Sequence, residues 1–407
     1  MLLWQRRRRG RFHLLTPRLA SAPFRTMFFA TSLASCRRTK PYGLAFSLGA
    51  GATSGSTNQL RIACGPEEPH ASVKEVKDFV HNLLQSRGVS LLESCDLILN
   101  EFDDEDVSRV NSWIWHVVKC HVRVLRLYIY RKQRVDREIW LQLDNMPLVS
   151  RHLTRLDLYS LQFNDRFLDF SSCVVLEDLD ITLCDFLPAK RISSHSLKRL
   201  SINSCEYCLD YRIRITAPNL VSLTLQGMCN RTPVLEEMPC LVEAVIKIST
   251  RYDCCYYGDA YGNCGACFLC YYIDGDTNNV VLLKGLSEAK YLALIPDPDT
   301  FILRRDLKWC PTFRYLKTLL LNEYWCVPDD FSALECILQH CPVLEELTFQ
   351  LFSKEMKLSC YLLETSIPAL EQLKLVEVKY KVVDERLINV LEFLAILDIS
   401  KKAVVQP

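Results

Sequence analysis

Two stretches of the chain decide its fold, and they read Leu176-Glu-Asp-Leu179-Asp-Ile181-Thr-Leu-Cys184 and Leu197-Lys-Arg-Leu200-Ser-Ile202-Asn-Ser-Cys205. Both follow the pattern L-x-x-L-x-I-x-x-C, and the second begins 21 residues after the first (197 minus 176). The L-x-I portion alternates apolar and polar residues, which predicts a short strand with two side chains directed into a core. A pattern that recurs at a fixed spacing indicates a repeat architecture.

Weaker copies of the pattern extend in both directions at a period of about 21 to 28 residues, the range of a leucine-rich repeat. The copies with all three apolar positions are Leu153, Leu156 and Leu158; Leu220, Leu223 and Leu225; Leu316, Leu319 and Leu321; Leu344, Leu347 and Phe349; and Leu370, Leu373 and Leu375. Partial copies are Val122, Leu125 and Leu127; Leu241, Ala244 and Ile246; and the segment around Tyr291 to Leu294.

One repeat cannot bury its own leucines, so each repeat must be covered by its neighbours. We therefore predict an α/β leucine-rich-repeat solenoid, with parallel strands on the concave face and helices or loops outside. The predicted domain spans residues 59–400. Helices at residues 73–86 and 107–119 are predicted to cap its first repeat, and Asp384–Leu394 is predicted to close its last.

Residues 1–58 are predicted to form a basic, disordered segment, because eleven Arg and Lys residues precede Glu67, the first acidic residue. Gly49–Asn58 is rich in Gly, Ser and Thr and is typical of a linker. The acid-free composition suits an organelle transit peptide, and it equally suits a nuclear or nucleic-acid-binding patch. We expect a cytoplasmic or nuclear protein, with plastid or mitochondrion as the alternative.

The residues between the inward-facing leucines are predicted to line the concave face and to bind a protein partner. The predicted binding residues are Arg155, Asp157, Tyr159, Asp178, Asp180, Thr182, Arg199, Ser201, Asn203, Ser222, Thr224, Gln226, Glu346, Thr348 and Gln350. A formal net charge of +1 gives no electrostatic reason to expect a nucleic-acid partner. No apolar run approaches the roughly 20 residues of a membrane-spanning helix, so no membrane partner is expected.

Twenty cysteines are spread along the chain, and we predict that most of them are reduced and buried. A Cys-rich insertion at about residues 250–279 interrupts the repeats. Its Cys264-x-x-Cys267-x-x-Cys270 spacing leaves a zinc site open as an alternative to a surface loop, with Cys254 or Cys255 as a further ligand. No second C-x-x-C pair stands at zinc-ribbon spacing and no histidine lies nearby, so we predict neither a metal site nor a cofactor.

No catalytic motif is present: the sequence lacks G-x-S-x-G, H-E-x-x-H, the phosphate-binding G-x-x-x-x-G-K-[ST] and the dinucleotide-binding glycine pattern. The eight histidines are scattered along the chain. We therefore predict a binding protein rather than an enzyme.

Seven segments resemble those of a known protein family. The N-terminal ones are Gln59-Leu-Arg-Ile62, Ser72–Leu84 and Val110–Val118, followed by the strand Leu125-Arg-Leu127. The later ones are Val280–Ala289, Leu375–Arg386 and Leu391–Leu394. Together they resemble plant F-box/LRR-repeat proteins of the grass type. The resemblance covers roughly residues 59–400.

The resemblance implies that the repeats hold a substrate protein for a cullin RING ubiquitin ligase of the SCF type. In that family an F-box binds a Skp-type adaptor. The segment before Gln59 has no Leu-Pro opening followed by a helical Ile/Leu run and no Arg-Trp pair. The F-box is therefore expected to be missing or degenerate, and adaptor binding is expected only where an F-box is present. The alternative is a non-ligase scaffold, which the basic segment would direct to an organelle.

Overall fold

The computed structural model describes most of the chain from residue 45 onwards. The described residues are 45–49, 59–63, 73–87, 91–100, 106–130, 140–208, 210–227, 230–249, 280–297, 300, 302–326, 332–352, 372–396 and 403–406. All of them lie in one compact unit, Tyr42–Pro407. The Cys-rich insertion at 250–279 falls outside the described residues.

The described residues contain nineteen strands and five helices. In chain order, the strands are β1 (Ala45–Gly49), β2 (Gln59–Ala63), β3 (Ser94–Asn100), β4 (Val124–Tyr130), β5 (Leu141–Gln142), β6 (Arg155–Tyr159), β7 (Leu161–Gln162), β8 (Asp178–Thr182), β9 (Arg191–Ser193), β10 (Arg199–Asn203), β11 (Arg214–Thr216), β12 (Ser222–Gln226), β13 (Val234–Leu235), β14 (Glu243–Lys247), β15 (Tyr291–Leu294), β16 (Thr318–Asn322), β17 (Glu346–Leu351), β18 (Leu375–Tyr380) and β19 (Ala403–Gln406). The helices are α1 (Val73–Arg87), α2 (Val107–Lys119), α3 (Ile302–Leu307), α4 (Ser332–Gln339) and α5 (Glu385–Ile396), with a 3-10 turn at Glu323–Cys326.

Fourteen of these strands pair side by side in one main sheet, in the order β1-β2-β3-β4-β6-β8-β10-β12-β14-β15-β16-β17-β18-β19. Every pairing is parallel except that of β1 with β2, which is antiparallel. Parallel neighbours in sequence order are what one strand per repeat produces. The predicted α/β leucine-rich-repeat solenoid is therefore confirmed.

The repeat leucines form continuous rows in the core, because each strand pairs with the next without a shift. Leu179 of β8 lies opposite Leu200 of β10, and Leu200 lies opposite Leu223 of β12. All three side chains are almost completely inaccessible to solvent. Burying one leucine side chain contributes about 1.5 to 3 kcal/mol, and here each burial depends on the adjacent repeats.

A row of residues in the left-handed backbone region turns the chain at the end of four successive strands. Ser160, Leu183, Ser204 and Gly227 follow β6, β8, β10 and β12, with φ between 51° and 60°. Each donates its backbone N–H to the carbonyl of the last strand residue in the next repeat, at 2.8 to 3.0 Å. A Cβ on Gly227 would lie 2.9 Å from the Ser204 hydroxyl, so the glycine also makes room for its neighbour.

The cysteines of the repeat pattern continue this turn with their own hydrogen bonds. The Leu161 N–H donates to Sγ of Cys184, and the Cys184 N–H donates to Sγ of Cys205, each at 3.4 Å. Burial holds the pKa of the Cys205 thiol well above its usual range, so it stays neutral. The 21-residue spacing of these two cysteines thus reflects packing between repeats.

Eleven cysteines lie among the described residues; all are free, and eight are buried. The predicted burial is confirmed for most of those eleven.

The segments behind the main sheet differ along the chain. In its middle they are largely extended, and β9, β11 and β13 form a second, three-stranded parallel sheet there. Toward both ends they contain the helices. Among the described residues no helix combines the length and apolar character needed to cross a bilayer.

The helices at the two ends are not terminal caps, which corrects the sequence analysis. Helix α1 follows β2 and α2 follows β3, so both are return segments of repeats within the sheet. Helix α5 likewise lies between β18 and β19, which pair with each other. The first helical bounds were accurate, but β3 was overlooked because Cys95 occupies a leucine position.

Two further boundaries differ from the sequence prediction. Strand β1 lies within the predicted basic segment 1–58, so the sheet begins earlier than residue 59. In the last leucine copy the inward residues are Leu373, Val376 and Val378, whereas Leu375 is exposed. The prediction was wrong there because Leu373-x-Leu375 imitates the inward pair Val376-x-Val378 three residues too early.

A buried carboxylate holds the chain where it re-enters the repeats after the insertion. Asp306 is completely buried and accepts the backbone N–H groups of Val281, Leu282 and Leu283 at 2.6 to 3.1 Å. Burial raises the pKa of Asp306, while these hydrogen bonds act to lower it. Asp306 therefore satisfies three donors that a turn would otherwise leave without partners.

Asn111 of α2 makes the buried polar connection between that helix and the next return segment. Its amide nitrogen donates to the carbonyls of Val107 and Gln142, and its amide oxygen accepts the Asp144 N–H. We expect Asn111→Ala to lower the free energy of unfolding by about 1 to 3 kcal/mol, because it leaves buried groups unsatisfied. Chemical denaturation would measure this.

The matched control is Asn145→Ala, since Asn145 is exposed on the neighbouring turn. That change should alter the unfolding free energy by less than about 0.5 kcal/mol. Equal losses in the two variants would contradict the role given to Asn111.

Candidate functional site

The outward residues of the main sheet form one surface, which we call the sheet surface. All fifteen residues predicted to bind a partner lie on strands that contribute to it: β6, β8, β10, β12 and β17. The first four strands are adjacent, whereas β14, β15 and β16 separate them from β17. The structure therefore brings twelve of the predicted residues together on four adjacent strands. It places Glu346, Thr348 and Gln350 apart from them.

The pairing register arranges this surface in columns. Arg126, Asp157, Asp180 and Ser201 are successive members of the central column, on β4, β6, β8 and β10. Neighbouring strands lie about 4.8 Å apart, so side chains within a column can contact each other directly. The chemistry of each column is thus set by residues some 20 to 30 positions apart in sequence.

A network of alternating charges occupies the N-terminal part of the sheet surface. Arg126 donates to Asp96 at 2.9 Å and lies 3.2 Å from a carboxylate oxygen of Asp157. Arg155 donates to the other oxygen of Asp157 at 2.9 Å. On the next strands Arg199 donates to Asp178 at 2.8 Å. These pairs hold long side chains in fixed positions before any partner arrives.

Asp157 is the buried centre of this network. Only 6% of the residue is accessible to solvent, although it points to the outward side of the strand. Burial raises the pKa of its carboxyl, and the guanidinium groups of Arg155 and Arg126 act in the opposite direction. Asp157 therefore organises its neighbours rather than offering a free carboxylate to a partner.

Two tyrosines and one carboxylate lie next to the network and remain accessible. Tyr128 and Tyr159 are half-buried neighbours in the third column, with ring centroids 5.8 Å apart. Asp180 accepts a hydrogen bond from Thr182, and within the described part of the chain no cation pairs with it. Tyrosine rings are enriched at the centre of protein interfaces, and the carboxylate beside them can accept a hydrogen bond from a partner.

The C-terminal part of the sheet surface is apolar in its central column. Val245, Ala293 and Leu320 are consecutive members on β14, β15 and β16. Val245 and Leu320 are half-exposed, while Ala293 is covered by its neighbours. The sheet surface therefore presents a charged and aromatic part and a separate apolar part.

Ion pairs also mark the edge where the strands begin. Glu345 accepts hydrogen bonds from Lys317 at 2.7 Å and Lys374 at 2.6 Å. These two ammonium groups lower the pKa of Glu345 to about 2. Because both lysines are solvent-exposed and Glu345 is only partly covered, we expect the pairs to order the edge and to add little stability.

Sequence reasoning missed several residues of the sheet surface, although the signal for some of them was present. The partial copies at Val122 and Leu241 implied that Arg126, Tyr128 and Val245 face outward by alternation. Asp96 had no such signal, because Cys95 and not a leucine precedes it.

The stability of an Arg126 variant at two pH values tests the network around Asp157. Burial disfavours the charged form of Asp157, so the free energy of unfolding falls as pH rises through the pKa of this carboxyl. Removing Arg126 takes away a favourable charge and raises that pKa further. We therefore expect Arg126→Gln to destabilise the protein more at pH 7 than near pH 4, measured by denaturation at both values.

Arg199→Gln is the control, since it removes an exposed ion pair from the same surface. Its effect should stay within about 1 kcal/mol. An equal loss at both pH values for Arg126→Gln would mean that the arginine acts through packing and not through its charge.

Comparison with known proteins gives two similar plant sequences. An F-box/FBD/LRR-repeat protein of Arabidopsis thaliana is 26% identical over 289 residues, which cover 62% of this chain and 61% of that protein. The meiotic F-box protein MOF of Oryza sativa subsp. japonica is 28% identical over 290 residues, covering 69% and 58% respectively. The chain thus matches about three fifths of the length of each relative. No family model and no solved structure matches it.

The resemblance stated from the sequence is therefore confirmed by the similarity to these two plant proteins. The leucine rows, the parallel sheet and the left-handed turns supply the repeat architecture that the name of the Arabidopsis relative describes. In sequence and in repeat fold, the chain is similar to plant F-box/LRR-repeat proteins.

Proposed function

We propose that this chain is a non-enzymatic protein-binding module, and that its sheet surface holds a substrate protein for an SCF-type cullin RING ubiquitin ligase. The observation that carries the binding proposal is the accessible patch of Tyr128, Tyr159 and Asp180 beside the fixed charge network. The ligase role rests on the similarity of this chain to plant F-box/LRR-repeat proteins. On this proposal, the repeats of the chain hold the substrate for the ligase.

The geometry favours a protein partner that presents a basic side chain between apolar groups. Asp180 on β8 offers a carboxylate to such a side chain. The two tyrosine rings lie on the two preceding strands of the sheet, β4 and β6. Charge complementarity of this kind mainly sets specificity and association rate, while buried aromatic rings supply most of the affinity. Of the fifteen residues predicted from the sequence, Tyr159 and Asp180 belong to this patch and ten others lie on the adjacent strands β6, β8, β10 and β12, while Glu346, Thr348 and Gln350 lie apart from it.

Preorganisation is the second argument for binding. The side chains around the patch are held by ion pairs across three strands, and the strands are held by the core. A partner therefore loses little of its binding free energy to ordering this surface. An unstructured array of the same residues would lack that advantage.

The patch can be tested by purifying the chain with its bound proteins from plant cells, and comparing the wild type with Tyr128→Ala/Tyr159→Ala and with Asp180→Lys. Each hot-spot change is expected to weaken binding by roughly 2 kcal/mol, about thirty-fold. Quantitative mass spectrometry should find proteins that both variants lose, and ubiquitylation of those proteins should fall in cells that carry only the variants.

Asp210→Lys is the matched control, because Asp210 is an exposed aspartate outside the main sheet. It makes the same charge change and should leave the captured set intact. Loss of the same proteins with Asp210→Lys, or retention of all proteins by both patch variants, would rule out the sheet surface as the binding site.

The adaptor contact needs its own experiment, since a protein can bind substrates without joining a ligase. The ligase role requires a divergent F-box before the repeats: on that proposal a Skp-type adaptor binds the full chain, and deletion of residues 1–41 abolishes binding while leaving the compact unit Tyr42–Pro407 whole. Direct binding measured by calorimetry checks this. Absence of binding with either protein would overturn the ligase role and leave a repeat-only interaction protein.

A further inference from the structure

Behind the main sheet, two thiols and an imidazole converge from two successive return segments. They belong to Cys310, which follows α3, and to Cys336 and His340, of which Cys336 lies in α4 and His340 directly follows it. The two sulfur atoms and a ring nitrogen all lie within 4.8 Å of one another. All three residues are half-buried, so the cluster is neither sealed in the core nor fully exposed.

Local structure explains why these side chains meet. Cys336 and His340 are four residues apart at the end of α4, which places them on the same side of the helix. The Cys310 N–H donates to the Leu307 carbonyl at 3.3 Å, and the Phe313 N–H donates to the His340 carbonyl at 2.8 Å. Backbone hydrogen bonds therefore fix both sides of the cluster.

The imidazole is held in the form that can bind a metal ion. Its Nδ1 lies 2.7 Å from the carbonyl oxygen of Cys336. A carbonyl oxygen only accepts, so Nδ1 carries the proton, and in the neutral ring Nε2 keeps a lone pair. A backbone carbonyl that orients the second ring nitrogen is the usual support of a metal-binding histidine.

We propose that Cys310, Cys336 and His340 bind a zinc ion. Two thiolates and an imidazole are ligands that zinc favours, and zinc sites with three protein ligands keep the fourth position open to water. Bond lengths of about 2.3 Å to sulfur and 2.0 Å to nitrogen place tetrahedral ligand atoms roughly 3.5 to 3.8 Å apart. The observed separations, at most 4.8 Å, need to shrink by at most about 1.3 Å, which half-buried side chains can supply by rotation.

Binding would connect the turn after α3 to α4, which belong to neighbouring repeats. Because the unfolded chain does not hold the three ligands together, zinc is expected to stabilise the folded protein. This inference is independent of the proposed substrate surface, since the cluster lies behind the sheet and includes no outward strand residue.

The test measures zinc binding by the purified full chain in competition with a chromophoric chelator. A background with Cys254→Ser, Cys255→Ser, Cys264→Ser, Cys267→Ser and Cys270→Ser removes the thiols of the insertion from the count. Loss of an outer-shell partner weakens metal sites by 10- to 100-fold, so Cys336→Ser and His340→Gln should each weaken binding by more than about 100-fold. Zinc should raise the thermal midpoint of the parent chain and leave that of both variants unchanged.

Cobalt(II) gives a second readout, because a tetrahedral site with thiolate ligands produces visible and near-ultraviolet bands that should disappear in Cys310→Ser. The control is Cys240→Ser, which removes an exposed thiol far from the cluster in sequence and should preserve binding and spectrum. His340→Gln keeps both thiols, so it distinguishes a lost ligand from a misfolded chain.

Two results would overturn the proposal. One is equal zinc stoichiometry and affinity in the parent chain and all three cluster variants. The other is a Cys310–Cys336 disulfide as the main form in protein alkylated at lysis, because oxidised sulfur cannot serve as a thiolate ligand.

Discussion

The structure depends on one constraint: a single repeat cannot cover its own leucines, so every repeat must align with its neighbours to bury them. Leu179, Leu200 and Leu223 are inaccessible only because their strands pair without a shift of register. A slip by one residue would move these side chains to the outward side and leave the core empty. The burial of apolar surface thus fixes the register, and the register in turn fixes the position of every outward side chain.

The turns at the strand ends enforce the same alignment through hydrogen bonds. Ser160, Leu183 and Ser204 adopt a backbone conformation that is unfavourable for residues with a side chain. The cost is offset because each N–H reaches a carbonyl of the next repeat, which a more relaxed turn would leave without a donor. Leu183 is the clearest case, since its side chain is exposed while its backbone N–H donates to the Asn203 carbonyl of the next repeat.

A fixed backbone leaves the chemistry of the sheet surface free to vary. Outward residues contribute little to the core, so charged and aromatic groups can gather on β4, β6 and β8 while apolar ones gather on β14, β15 and β16. Asp157 is the exception, because it is buried from the outward side and ties the charge network to the stability of the sheet. Substitutions there are expected to affect both folding and binding, whereas those at Asp180 should affect binding alone.

The sequence was sufficient for the parts of the fold that depend on near neighbours. Alternation around Leu179 and Leu200 identified strands, inward residues and most of the patch, since a period of two is visible within five residues. It failed where one residue broke the pattern, as at Cys95, or where an extra leucine imitated it, as at Leu375. Contacts such as Arg126 with Asp157 and Cys310 with Cys336 depend on the exact register of distant segments, which local patterns do not contain.

The insertion at residues 250–279 shows what this one-dimensional design tolerates. It separates β14 from β15, yet these strands pair in register like any others. An insertion in a return segment leaves the pairing edge unaffected, provided that the chain re-enters at a fixed point. Asp306 supplies that point from the following repeat by accepting three consecutive N–H groups. A buried carboxylate costs more to desolvate than a neutral side chain, but it can satisfy several donors at once. The chain that returns after the longest interruption must be held where no leucine row yet does so. This need explains the buried carboxylate of Asp306.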